Sequence, residues 1–181
     1  MDATYSLLFS DPPWHYNSRK SGGERKNKTK FGGGAQKHYP LMKDAELLAM
    51  RPLIDTLAEP NSAMLMWVTF PRLDFGIELL KAWGFRYTTA AFHWVKLGKS
   101  GSPIYGPGYY TASNLESVLI GVRGSMPPDV KMMPSIIQHP RMEHSRKPDV
   151  FYEKARLLYP HGRALEMFAR RQRPGWDVWG N

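Results

Sequence analysis

The sequence predicts a single α/β domain over residues 1–181, with a mostly parallel central sheet and helices on both of its faces. Two observations lead to this fold class. Short apolar runs alternate with stretches of helical spacing along most of the chain. In addition, 42% of the residues are hydrophobic and 13% are aromatic, which is enough to build one core. In sheets of this kind, ligands bind at the carboxyl ends of the strands.

The first predicted element is a buried strand over Tyr5–Ser10, a run of mostly apolar residues. It ends at Asp11-Pro12-Pro13, because proline cannot donate to a strand ladder. A long loop rich in Gly and Lys follows, at about residues 15–40. Loops of this length inside a compact domain are usually functional or disordered.

Helices and strands then alternate to the end of the chain. Pro71 and Gly84 enclose a stretch of helical spacing, as expected of residues that begin and end helices. The last predicted helix begins at Lys147-Pro148. In chain order, we expect a helix over 41–57, a strand over 63–69, a helix over 73–83, a strand over 87–95, a Gly/Pro/Tyr loop over 97–112, strands over 115–122 and 135–138, a helix over 148–159, a strand over 164–168 and a short apolar stretch over 176–179.

The overall charge points to an acidic partner. The net charge is +9 at pH 7, and seven Lys and Arg residues but a single acid, Glu24, lie between Arg19 and Lys37. Basic proteins of this size attract polyanions such as nucleic acids. The chain has no cysteine, which excludes disulfides and thiolate metal sites. No signal peptide or membrane span is expected, so the location is cytoplasmic or with intracellular nucleic acid.

The chemistry is expected at Asp11-Pro12-Pro13-Trp14, directly after the first strand. The Asp11 carboxylate and the Pro12 carbonyl, on a turn that two prolines stiffen, can accept both hydrogens of an amino group. These two hydrogen bonds draw the delocalised lone pair of an aromatic amine back onto its nitrogen. Trp14 offers a flat face on which a base can stack. Adenine N6, cytosine N4 and a protein glutamine are all candidate amines. The structural alternative is a turn that ends the strand, with Trp14 in the core.

Several blocks in order resemble the N6-adenine methyltransferase family typified by the catalytic subunit of the eukaryotic mRNA N6-adenosine methyltransferase. The resemblance covers nearly the whole chain. It implies a class I, Rossmann-like methyltransferase fold and S-adenosylmethionine as the cofactor. The matching blocks are LFSDPPW at 8–14, MWVT at 66–69, WGF at 83–85, WVK at 94–96, LIGVRG at 119–124, HSRKPD at 144–149 and EMFAR at 166–170.

The same resemblance implies roles for individual residues. Lys147 would pair with the cofactor carboxylate, and Glu166 with Arg170 would lie at its ribose end. Tyr39 would lie near the target base. The family usually has one more strand ahead of the catalytic strand, which we do not find here. The cofactor contacts implied are Asp11, Lys147, Glu166, Arg170, Gln172 and Asn181.

Two loops are candidates for binding the substrate. The basic loop after the motif could clamp phosphates or, alternatively, only confer solubility. The loop that begins at Tyr105 could contact the substrate or be an ordinary Gly-Pro turn. No metal site is expected, because His139 and His144 lack ligand spacing. The substrate contacts predicted are Trp14, Tyr39, Arg19, Lys20, Arg25, Lys26, Lys28, Lys30, Tyr109 and Tyr110.

The function predicted is therefore methylation of adenine N6 in a nucleic acid. We expect DNA rather than RNA, because the eukaryotic RNA-binding parts are not found in the sequence. An RNA N6-adenosine methyltransferase and a catalytically silent, nucleic-acid-binding partner subunit are the alternatives, and a homodimer is left open. The intact Asp11–Trp14 motif and Lys147 argue against a silent subunit.

Overall fold

A computed structural model describes residues 4–14, 41–106, 110–143 and 146–180. These residues form seven strands and four α-helices, with a 3₁₀ turn between two of them. In chain order they are β1 (Tyr5–Ser10), α1 (Asp44–Leu48), α2 (Arg51–Leu57), β2 (Ala58–Val68), the 3₁₀ turn (Phe70–Arg72), α3 (Leu73–Ala82), β3 (Arg86–Leu97), β4 (Leu115–Arg123), β5 (Ile136–Pro140), α4 (Val150–Leu158), β6 (Ala164–Met167) and β7 (Asp177–Trp179).

The seven strands form one sheet in the order β5-β3-β4-β2-β1-β6-β7. Strand β1 lies between β2 and β6 and is parallel to both. The pairs β3–β5 and β6–β7 are also parallel, and only β4 runs antiparallel to its neighbours β2 and β3. The predicted, mostly parallel α/β sheet is confirmed. Because β4 is reversed, its first residues lie at the edge where the other strands end.

Helices cover both faces of the sheet, as predicted. On one face, Leu8 and Met64 pack with Leu79 and Trp83 of the α1–α3 layer. On the other face, Phe9, Leu65 and Trp67 pack against Phe151 of α4. Neighbouring residues of a strand point to opposite faces, so β1 and β2 supply both cores and are buried on both sides. Trp67, Trp83 and Trp94 are all core residues.

The structure differs from the sequence prediction in three elements. The helix expected over 41–57 is two short helices, and Pro52 lies in the first turn of the second, where its missing N–H costs nothing. Strand β2 begins five residues early, at Ala58. The apolar stretch near the end is strand β7, paired with β6. The predicted basic loop at 15–40 lies outside the described residues.

None of the helices in the described part of the chain combines the length and the apolar character needed to cross a membrane.

Candidate active site

The candidate site lies at the carboxyl ends of β1 and β6, from which the chain continues to β2 on one side of this pair and to β7 on the other. Strands β1 and β6 are parallel neighbours, with Ser10 opposite Met167 at their carboxyl ends. Beyond β1 the sheet continues with β2, and beyond β6 it continues with β7. Open α/β sheets bind ligands at such a switch point. A cavity of about 290 Å³ lies here, with Asp11 and Phe168 in its wall.

The turn after β1 is fixed by main-chain hydrogen bonds. The Trp14 N–H donates to the Pro12 carbonyl (2.9 Å), and the Met42 N–H donates to the Pro13 carbonyl (2.8 Å). The Pro12 oxygen has two lone pairs and therefore keeps one for a further donor. Asp11 leaves this turn toward the cavity, with about a fifth of its side chain exposed.

The Trp14 ring lies in the core rather than in the cavity wall. It is 4% exposed, and its edge meets the Phe75 ring at a centroid distance of 6.1 Å. The Arg72 guanidinium carbon lies 5.7 Å from the Trp14 ring centre. In this structure Trp14 therefore anchors the turn that carries Asp11. Stacking of its face on a base stays a prediction.

A chain of alternating charges leads away from Asp11. The Lys147 ammonium lies 3.1 Å from Asp11 Oδ2 and 3.1 Å from Glu116 Oε2. The other oxygen of Glu116 accepts a hydrogen bond from the Lys96 ammonium. The Lys147 nitrogen also lies 5.1 Å from the centre of the Trp67 ring, which forms the floor beneath it. Lys147 is thus held between two carboxylates.

The two inner groups of this chain remain ionised although they are buried. Burial raises the pKa of Glu116, but the Lys147 and Lys96 ammonium groups outweigh it and bring that pKa down to about 2. Burial likewise lowers the pKa of Lys147, and the Asp11 and Glu116 carboxylates outweigh it and raise the value above normal. A fixed positive charge therefore lies beside Asp11 at neutral pH.

Glu116 was not identified from the sequence. It reaches the site because β4 runs antiparallel, which places its second residue beside Trp94 near the end of β3. The available signal was an acid near the start of an otherwise apolar strand. Such a residue is either paired or functional when buried.

A second buried cluster holds Glu166 at the end of β6. The Tyr152 hydroxyl donates to Glu166 Oε1 (2.8 Å), and Arg173 donates to Oε2. The Arg173 guanidinium carbon lies 3.7 Å from the Tyr152 ring centre. Glu166 and Arg173 are only 7% and 8% exposed, yet both line the cavity. Burial, followed by the Glu166 carboxylate, raises the pKa of Tyr152 well above its ordinary value.

Tyr152 and Arg173 were also absent from the sequence prediction. Tyr152 lies within a predicted helix to which no site role was assigned, and Arg173 follows Arg170 and Arg171 in a loop. Only the fold shows that both converge on one carboxylate. That carboxylate keeps lone pairs that can accept hydroxyl donors from the cavity.

Phe168 follows β6 in an unusual backbone conformation. Its φ is 58°, in the left-handed region that residues other than glycine rarely adopt. Its ring lies in the cavity wall and meets the Trp179 ring edge-on at 5.5 Å. Residues held in such conformations are enriched at ligand sites.

The other predicted site residues are placed as follows. Arg170 lies 3.4 Å from Asp11 Oδ2 and joins the β1 and β6 sides of the cavity. The Gln172 amide nitrogen donates to the Trp176 carbonyl (2.6 Å), so it braces the loop before β7, and its contact with a cofactor stays a prediction. Tyr110 is fully exposed. The remaining predicted residues lie outside the described part: Arg19, Lys20, Arg25, Lys26, Lys28, Lys30, Tyr39, Tyr109 and Asn181.

Among the described residues, no three His, Asp or Glu side chains are grouped in a way that could hold a metal ion.

Comparison with known proteins identifies the family. Residues 5–181 match the MT-A70 family model. The type II methyltransferase M.MunI of Mycoplasma sp is 31% identical over 97% of this chain and 76% of that protein. The N(6)-adenine-specific methyltransferase METTL4 of Homo sapiens is 28% identical over 98% of this chain, which spans 37% of METTL4. The N6-methyladenosine RNA methyltransferase MTA1 of Pyricularia oryzae is 30% identical over 98% of this chain and 46% of that protein.

The family resemblance predicted from the motif blocks is thereby confirmed, and the class I methyltransferase fold agrees with it. The chain belongs to the MT-A70 family.

Proposed function

We propose that this chain is an S-adenosylmethionine-dependent methyltransferase that methylates the N6 amino group of adenine in DNA. The observation that carries the proposal is that Asp11 and Glu166, from the ends of two adjacent parallel strands, line one cavity. The preference for DNA over RNA follows the similarity to the type II methyltransferase M.MunI. This chain is 31% identical to M.MunI and covers 76% of it, compared with 30% and 46% for MTA1, whose name specifies RNA.

The residues of the cavity suit the cofactor. Its volume of about 290 Å³ lies close to the range of about 300–1,000 Å³ that is common for small-molecule sites. The Lys147 ammonium would attract the cofactor carboxylate, and the free lone pairs of Glu166 would accept the ribose hydroxyls. When bound, S-adenosylmethionine supplies an electrophilic methyl group on its sulfonium.

The Asp11 turn would act on the target amine. Both ion pairs of Asp11 go through Oδ2, with Lys147 and Arg170, so neither of these ion pairs uses Oδ1. Oδ1 would accept one N6 hydrogen and the remaining lone pair of the Pro12 oxygen would accept the other. This pair of acceptors localises the nitrogen lone pair for in-line attack, and the contribution of the protein is mainly positioning. Asp11 need not remove a proton, because the methylated ammonium product loses it to water.

The direct test is transfer of a labelled methyl group to DNA and RNA oligonucleotides, followed by digestion and identification of the labelled base. We expect N6-methyladenine in DNA and a loss of at least about 10²-fold in Asp11→Ala, the cost of removing one group that grips the reacting atoms. Asp129→Ala, which removes an exposed carboxylate beside His161, is the matched control. Label in cytosine or in protein would refute the adenine assignment, and full transfer by Asp11→Ala would refute the mechanism.

An intracellular location and a homodimer or partner subunit stay predictions. Asp11 and Lys147 are both present and paired, which supports an active enzyme over a silent subunit.

A further inference from the structure

The exposed aromatic side chains of the described chain all lie on one edge of the sheet. Three such rings are exposed: Phe70 (53%), Tyr105 (68%) and Tyr110, which is fully exposed. Phe70 follows the end of β2, and the two tyrosines follow the end of β3. Because β4 is antiparallel to both of these strands, β2 and β3 run in the direction of β1. All three rings are therefore on the edge that carries Asp11.

The backbone around Tyr105 is held in place by hydrogen bonds. The Ile104 N–H donates to the Lys96 carbonyl (3.0 Å), and Gly106 and Ser113 exchange two main-chain bonds of 2.7 and 2.8 Å. The ring of Tyr105 thus projects into solvent from a braced loop. When a ligand covers a ring that a fixed backbone carries, the protein loses little conformational entropy on binding.

Three cations share this edge. Lys99, Arg141 and Arg146 are exposed, and none of them makes an ion pair with another described residue. The Arg141 N–H donates to the Leu97 carbonyl (2.9 Å), which ties Arg141 to the end of β3. Two exposed acids, Glu143 and Asp74, lie on the same edge, so the three cations still leave it with a positive excess. Unpaired cations and exposed rings on one edge are the combination that binds single-stranded nucleic acid.

We propose that Phe70 and Tyr105 stack on unpaired bases that flank the target adenine, and that Lys99, Arg141 and Arg146 contact the phosphates. The enzyme then takes its adenine from single-stranded DNA. In duplex DNA the base faces are stacked on one another, so they are not available for stacking on Phe70 and Tyr105. The inference rests on the proposed function and specifies its substrate.

Binding of a short labelled DNA strand and of the matching duplex tests the proposal, with fluorescence anisotropy measured without cofactor. We expect the wild type to bind the single strand at least about 10-fold more tightly. Phe70→Leu and Tyr105→Leu should each weaken that binding about 5-fold or more, the lower end of the value for stacking on one base. Tyr105→Phe keeps the ring and should bind like the wild type. Leu157→Ala, an exposed apolar residue on α4, is the control.

The salt dependence tests the cations separately. Arg141→Ala should reduce the slope of log affinity against log salt by about 0.7, the value for one phosphate of a single strand. Lys81→Ala, which removes an exposed charge from α3, should leave the slope unchanged. Equal binding of duplex and single strand, or unchanged binding by both leucine variants, would overturn the inference. Neither result depends on methyl transfer, so the proposed function is judged independently.

Discussion

At the scale of single residues, the site consists of two carboxylates that are each held by cations. Asp11 is held through one oxygen by Lys147 and Arg170, whereas Glu166 has one oxygen on Tyr152 and the other on Arg173. In the proposed function, the first carboxylate would offer an oxygen to the amine and the second would offer lone pairs to hydroxyls, so the two clusters would divide the work between substrate and cofactor.

Removal of the Tyr152 hydroxyl should weaken cofactor binding without slowing the chemical step. Tyr152→Phe loses one hydrogen bond that orients Glu166, worth about 1 kcal/mol or roughly a 5-fold change. We expect the KM for S-adenosylmethionine to rise by that factor with kcat little changed, as measured by steady-state titration of the cofactor.

Tyr159→Phe is the matched control, because Tyr159 is buried beside the same helix but is absent from the cavity wall. A fall in kcat with an unchanged KM would contradict a role of Tyr152 in orienting Glu166.

The buried Glu116 predicts a specific dependence of stability on pH. Its pKa falls from the ordinary 4.5 to about 2 in the folded protein. A lowered carboxyl pKa stabilises the fold fully above the unfolded value and loses that effect as the pH falls through the folded value. The difference in unfolding free energy between wild type and Glu116→Gln should thus be constant above about pH 5.5 and shrink between pH 4.5 and 2.

Urea denaturation of both proteins across this range measures that difference. Glu59→Gln, which changes a carboxylate of β2 that makes no ion pair with another described residue, should show no such trend relative to wild type. A gap that stays constant down to pH 2 would mean that Glu116 is not held ionised by its two lysines.

The sequence identified Asp11, Lys147 and Glu166 because each belongs to a local motif block. It missed Glu116, Tyr152 and Arg173, since their roles arise only from partners distant along the chain. Glu116 meets Lys147 through the direction of β4, and Arg173 meets Glu166 through the loop before β7. Spacing along a sequence carries no information on such pairings.

At the scale of elements, the strand pattern was predicted better than the strand ends. Every predicted strand exists, but β2 begins at Ala58, earlier than predicted. Ala58 pairs with Tyr5, and the register then shifts so that Ala63 pairs with Leu7. Glu59, Pro60 and Asn61, which are rare in strands, concealed this extension. Strand β7 was concealed as well, because three residues give too short a pattern to distinguish a strand from a loop.

The turn after β4 offers a test of how closely two elements are joined. Gly124 has a φ of 60°, and an added Cβ would overlap the Asn61 side-chain oxygen and the Pro60 carbonyl oxygen of β2. Gly124→Ala should therefore lower the free energy of unfolding by about 2 kcal/mol or more, from strain and overlap together.

Gly101→Ala separates these two causes. Gly101 also has a positive φ, of 79°, but nothing lies within 4 Å of an added Cβ. This variant should lose only the strain of about 1 kcal/mol. Urea denaturation measures the loss of unfolding free energy in each variant. Equal losses would show that overlap with β2 does not contribute to the effect of Gly124→Ala.

At the scale of the whole molecule, the sequence predicted the fold class but not the order of the strands. The alternation of elements is a local property, whereas the position of β1 between β2 and β6 is not. The reversal of β4 also left no mark, because a buried antiparallel strand and a buried parallel strand have the same apolar pattern. The cavity that Asp11 lines lies at the edge where we expected a site, because Asp11 follows a strand that was predicted correctly.

The alternating row of charges from Asp11 to Lys96 has a consequence for how the protein acquires activity. Its four members come from the turn after β1, from β3 and β4, and from the segment ahead of α4, so only a fragment that spans residues 11–147 contains the complete row. Contacts between residues so far apart in sequence form late, because long stretches of chain must be closed first. Partly folded molecules would carry Lys147 without its acidic neighbours, and an incomplete chain emerging from the ribosome would be unable to modify a base.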